Sequence, residues 1–134
     1  MILEWKDKYS VKVARFDEAH QKLIDMINEI HDNMKAGKNI EVIRQVVIRL
    51  FDYAESHFKE EELMMVKAEY PHVEAHRQEH VKFIAEITSM REKLNTSSNL
   101  LNIQLLYFLK DWLTNLIMST DMKYSDFFNE KGIK

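Results

Sequence analysis

The sequence has no cysteine. Disulfides, thiolate metal sites, a thiol nucleophile and thioether attachment of haem are therefore excluded. Two glycines and one proline in 134 residues leave little of the turn chemistry that most sheet proteins need, and this favours helices. No uninterrupted apolar run reaches the ~18 residues of a membrane span, so none is expected. Basic residues are scattered and the net charge is −3, so the electrostatic footprint of a nucleic-acid binder is missing. The opening residues, Met1-Ile2-Leu3-Glu4-Trp5-Lys6-Asp7, lack the basic start, apolar stretch and small-residue cleavage site of a secretory signal. A cytoplasmic location is the expectation.

What is present is an apolar fraction of 46% and a charged fraction of 31%, enough to fill one core and cover one surface. A single domain over 1–134 is expected, with an arm over 1–16, a bundle over about 17–120 and a tail over 121–134. Four stretches carry helical periodicity. The first, from about Asp17 to Ala36, repeats Leu23, Ile24, Ile27 and Ile30, with Asp17 as the expected N-cap and Gly37 as the stop. The second, from about Asn39 to Val66, carries Ile43, Val46, Val47, Leu50, Phe51 and Ala54. The third begins at Pro71, a residue suited to a first helical turn, and runs to about Leu94. A polar break, Asn95-Thr96-Ser97-Ser98-Asn99, precedes the fourth, from about Leu100 to Thr120. Four such helices joined by short loops make an all-α, up-down-up-down antiparallel four-helix bundle.

Six histidines stand at 20, 31, 57, 72, 76 and 80. Two pairs are spaced four residues apart, His57/Glu61 and His76/His80. Four residues turn a helix by ~400°, so each pair projects from one face, one turn apart. Imidazole and carboxylate together suit iron, zinc, copper or manganese, and bundles build such centres from facing helices. Either pair alone is weak evidence, because solvated pairs at this spacing are common. Their occurrence on consecutive helices, with His20 on the first, is a stronger signal. His31 lies ~16 Å along the axis from His20 and cannot join the same centre. His72 shares a face with His76 and His80 but falls in the frayed first turn. Taken alone, Asp52, Asp111 and the run Glu60-Glu61-Glu62 read more simply as surface charge.

Motifs in order along the chain carry a resemblance. They are Trp5-Lys6-Asp7-Lys8-Tyr9-Ser10-Val11, Asp17-Glu18-Ala19-His20, His57-Phe58-Lys59-Glu60-Glu61, Tyr70-Pro71, His76-Arg77-Gln78-Glu79-His80, Trp112-Leu113 and Asp121-x-x-Tyr124. By them the chain resembles the bacterial hemerythrins over nearly its whole length. The resemblance implies a centre of two non-haem iron ions. His20 and His57 would bind one iron, His76 and His80 the other. Glu61 and Asp121 would bridge both, with an oxo or hydroxo group as the third bridge. It also implies that some of Ile24, Phe51, Phe58, Leu116 and Ile117 line a dry O2 pocket.

One position departs from the family, which has a fifth histidine five residues before the fourth-helix aspartate. Here that residue is Leu116. Leucine cannot ligate, so the iron held by His76 and His80 should lose one protein ligand, and both irons should be open. The leading expectation is an O2-binding protein for storage, delivery or sensing. The alternative is a di-iron peroxidase- or oxidase-like protein that takes peroxide, with nitric oxide as a further candidate ligand. A bundle holding zinc, or no metal, is a third reading.

Overall fold

The computed structural model describes residues 1–96 and 103–134, and among these it is helical without strands. Helix α1 spans Ala14–Lys35, α2 Ile40–Lys67, α3 Val73–Thr96 and α4 Ile103–Asn115. A π-helical stretch, Leu116–Thr120, a 3-10 turn, Asp121–Tyr124, and a short α5, Ser125–Glu130, complete the chain. α1 packs on α2 and α4, and α2 packs on α3, giving the antiparallel four-helix bundle expected from the periodicity. Among the described residues no helix is long and apolar enough to cross a membrane.

The ends of the elements differ from the periodicity reading for local reasons. α1 begins three residues before Asp17, at Ala14, and its N-cap Val13 makes no side-chain cap. Asp17 serves the arm instead: its carboxylate accepts from the Ser10 hydroxyl at 2.6 Å and the Val11 N–H at 2.8 Å. Asn28 clamps the arm further up, accepting from the Ile2 and Leu3 amides and donating to the Leu3 carbonyl. α2 is capped by Asn39, whose side chain accepts from the Glu41 N–H at 2.7 Å. Gly37 ends α1 at φ 67°, a left-handed conformation that glycine adopts without strain. Pro71 and His72 lie in a turn ahead of α3 rather than in its first turn. The polar break from Ser97 onward and the expected start of the fourth helix at Leu100 fall outside the described residues.

Apolar side chains gather in two clusters. The larger holds Leu23, Ile24, Ile27 and Ile30 of α1, Val47, Leu50, Phe51, Ala54 and Phe58 of α2, and Leu109, Trp112, Leu113, Leu116 and Ile117 after the fourth-helix start. The smaller holds Val11, Val13, Phe16, Met65, Tyr70, Tyr124 and Phe128. Burial of a side chain the size of leucine or phenylalanine contributes about 1.5–3 kcal/mol, so these clusters dominate the stability of the bundle.

Candidate metal centre

Six polar side chains are buried where the two clusters meet: His20, His57, Glu61, His76, His80 and Asp121. Phe58 of the larger cluster stacks on His80 with ring centroids 4.2 Å apart. Phe16 and Tyr124 of the smaller cluster contact His57 and His76 at 5.8 and 5.5 Å. The helical spacing predicts which helix brings each group: α1 His20, α2 His57 and Glu61 one turn apart, α3 His76 and His80 one turn apart. Asp121 arrives by a distortion. Leu116–Thr120 is a π stretch, and the backbone N–H of Asp121 donates to Leu116 O as well as to Ile117 O. Such a wide turn sets residue 121 above residue 116, where a regular helix would swing it to another face.

The six groups form two halves sharing two carboxylates. On one side His20 Nε2 and His57 Nε2 lie 3.0 Å apart. Asp121 Oδ2 is 2.9 Å from His20 Nε2, and Glu61 Oε2 is 3.3 Å from His57 Nε2. On the other side Asp121 Oδ1 is 3.3 Å from His76 Nε2, and Glu61 Oε1 is 3.1 Å from His80 Nε2. Each carboxylate therefore turns one oxygen to each histidine pair. Two groups that could each hold a metal ion result, His20/His57/Glu61/Asp121 and Glu61/His76/His80/Asp121, each with its donor atoms within 4.8 Å of one another.

This arrangement fits metal better than it fits hydrogen bonding. Both oxygens of Asp121 and Nε2 of His76 are buried and make no hydrogen bond. Leaving a buried carboxylate without a partner costs several kcal/mol. Two histidine nitrogens pointing at one another, and four carboxylate oxygens pointing at histidines, form a donor set that could hold metal ions. Imidazole with carboxylate is the chemistry of iron, zinc, copper and manganese sites.

The hemerythrin HHE cation binding domain profile matches residues 11–127 of this chain. The chain belongs to the hemerythrin family. It is 32% identical to bacteriohemerythrin from Methylococcus capsulatus over 117 residues, which are 87% of this chain and 88% of that protein. Myohemerythrin-1 from Phascolopsis gouldii is 28% identical over 90% of this chain and 89% of its own length. A crystal structure of wild-type hemerythrin superposes with a TM-score of 0.85 at 30% identity, covering 94% of this chain and 97% of that one.

Charge within this hemerythrin's centre is balanced internally. Burial raises the Glu61 carboxyl, but His57 beside it, with the nearby His76 and His80 imidazoles, holds it well below its ordinary value. Burial lowers His57, and the Glu61 charge outweighs that to leave it raised. Burial lowers His76 too, but Asp121 and Glu61 hold it up at about 9. Burial and the Glu61 and Asp121 charges push the Tyr124 phenol well above its ordinary value. The phenol therefore keeps its proton and donates it to Glu61 Oε2 at 2.5 Å.

The two histidines set aside in the sequence lie apart from the centre. His31 is half-buried with its Nδ1 3.5 Å from Asp32 Oδ1, and His72 is exposed against Tyr70. Two contributors were not foreseen. Tyr124 stood only as part of the fourth-helix pattern, and its role emerges once the π stretch lifts the following turn over Glu61. Glu62 was read as surface charge, yet its Oε1 is 3.1 Å from His80 Nδ1. The signal for it was the pairing of α2 with α3, because residues 61 and 62 both face the third helix near His80. A cleft of about 60 Å³ lined by Tyr70, His72, Ala75, Glu79, Thr120 and Lys123 reaches His76 from the surface.

Proposed function

We propose that this hemerythrin is a non-haem di-iron O2-binding protein, in which His20 and His57 hold one iron, His76 and His80 the other, and Glu61 and Asp121 span both. The single observation that carries the assignment is the two-sided placement of the carboxylates, one oxygen of each toward each histidine pair. Iron bound there supplies electrons and open coordination positions for O2. The protein's own part is to hold, insulate and neutralise. Two fully buried carboxylates would offset cationic charge. Tyr124 pins Glu61 and keeps it ionised as an acceptor. Ile24, Phe51, Phe58, Leu116 and Ile117 are all nearly or fully buried, and some of them would wall a dry pocket that excludes water from the site.

Leu116 is fully buried and, through the wide turn, shares a face with Asp121. In this reading it stands where a fifth histidine would complete the His76/His80 side, so each side would be held by two histidines and the two shared carboxylates. A peroxidase- or oxidase-like centre that consumes peroxide is the second reading, and it rests on Leu116 alone. The two readings part in one experiment on anaerobically reduced, iron-loaded protein. O2 uptake that reverses under vacuum, without turnover of a reducing dye by added peroxide, supports O2 binding. Irreversible uptake with sustained dye oxidation replaces it with the redox reading.

A further inference from the structure

We propose that Glu62 is a positioning residue that holds the His80 imidazole with its proton on Nδ1 and its lone pair on Nε2, and so strengthens the His80 bond to iron. This rests on the di-iron reading and adds a residue outside the proposed ligand set.

The imidazole of His80 is gripped from three directions by one helix. Glu61 Oε1 lies 3.1 Å from its Nε2, and Glu62 Oε1 lies 3.1 Å from its Nδ1. Phe58, one turn earlier, stacks on the ring at an interplanar angle of 10°. Position, tilt and rotation of the ring are all set by α2, although His80 belongs to α3. A histidine that gives its Nε2 lone pair to a metal must carry its proton on Nδ1, and a carboxylate accepting that proton makes the imidazole more basic and a stronger donor.

His80 stands apart from the other three histidines in this respect. His20 Nδ1 and His57 Nδ1 are buried without a hydrogen-bond partner, and His76 turns its Nε2 to the carboxylates with the cleft at its outer side. The carboxylate support thus falls on the half of the centre for which the family resemblance implies a third histidine. A stronger His80 donor compensates there for the ligand that Leu116 cannot provide. The Glu62 side chain is 23% exposed, so water weakens its Coulombic pull on the fold, while its effect on a ring fixed at both nitrogens is directional.

The test is iron release to a chelator, with the reduction potential, in wild-type, Glu62→Ala and Glu62→Gln proteins loaded with iron. Loss of the outer partner is expected to speed release of one iron 10- to 100-fold in Glu62→Ala and to shift the potential upward, because the weaker donor stabilises ferric iron less. Glu62→Gln still offers a carbonyl to Nδ1–H without the charge, so it should fall between the two, and it serves as the readout should the alanine variant misfold. Two irons in the wild type with unchanged release and potential in the variants overturn the role of Glu62 alone. Wild-type protein that binds no iron overturns the di-iron reading and this inference together.

Discussion

Leu116→His tests the coordination argument from both sides at once. In metal-free protein the change removes a fully buried leucine, which costs about 2 kcal/mol of apolar burial. It also buries an imidazole with no assured partner, costing about 2 kcal/mol more. For a chain of 134 residues, about 4 kcal/mol corresponds to a fall of roughly 15 °C in the melting temperature. In iron-loaded protein the same imidazole sits on the face that carries Asp121, within the wide turn that joins residues 116 and 121. If it ligates, each tenfold gain in iron affinity returns about 1.4 kcal/mol to the loaded state. The gap between loaded and metal-free melting temperatures should therefore widen relative to wild type, and autoxidation of the reduced protein should slow. Calorimetry with and without iron, together with the decay of the reduced spectrum in air, measures both. An unchanged gap with unchanged autoxidation would refute the claim that Leu116 occupies a ligand position.

Metal-free protein should lose stability on the alkaline side. His76 is raised from 6.5 to about 9, so its contribution is fully present below pH 6.5 and is lost as pH rises through about 9. Glu61 is lowered below 4.5, so its contribution is present above that value and lost as pH falls through its folded pKa. Urea midpoints should thus peak between these limits, and a profile that stays flat up to about pH 10 would contradict the His76 assignment. Tyr124→Phe removes the donor to a buried carboxylate and should lower metal-free stability by about 2 kcal/mol, read from urea unfolding. An unchanged midpoint would mean that the Glu61 bond carries no net stabilisation. Asp121→Ala should abolish binding of both irons, because the carboxylate serves both halves, while His31→Ala should leave iron content unchanged. Equal iron content in the two variants would overturn the bridging role.

Spacing made the helical members of the buried cluster legible. A four-residue interval fixes a shared face, so His57 with Glu61 and His76 with His80 could be placed before any coordinates, as could the core stripe of Leu23, Ile24, Ile27 and Ile30. Asp121 could be placed only through the resemblance, since a regular helix turns it away from residue 116 and the π stretch that corrects this has no periodic signature. Asp17 misled as a cap because its local preference is the same whether it serves the helix or the arm. Here the arm recruits it through Ser10 and Val11. Glu62 was invisible for a similar reason: a glutamate on a polar run is ordinarily solvated, and only the approach of α3 puts an imidazole nitrogen beside it.

Iron per chain, with the visible spectrum of the anaerobically reduced protein before and after O2, tests the central claim most directly. The account predicts two irons and a charge-transfer band that appears with O2 and vanishes under vacuum. One iron or none, in protein supplied with ferrous iron, would contradict the paired site and the O2-binding function built on it.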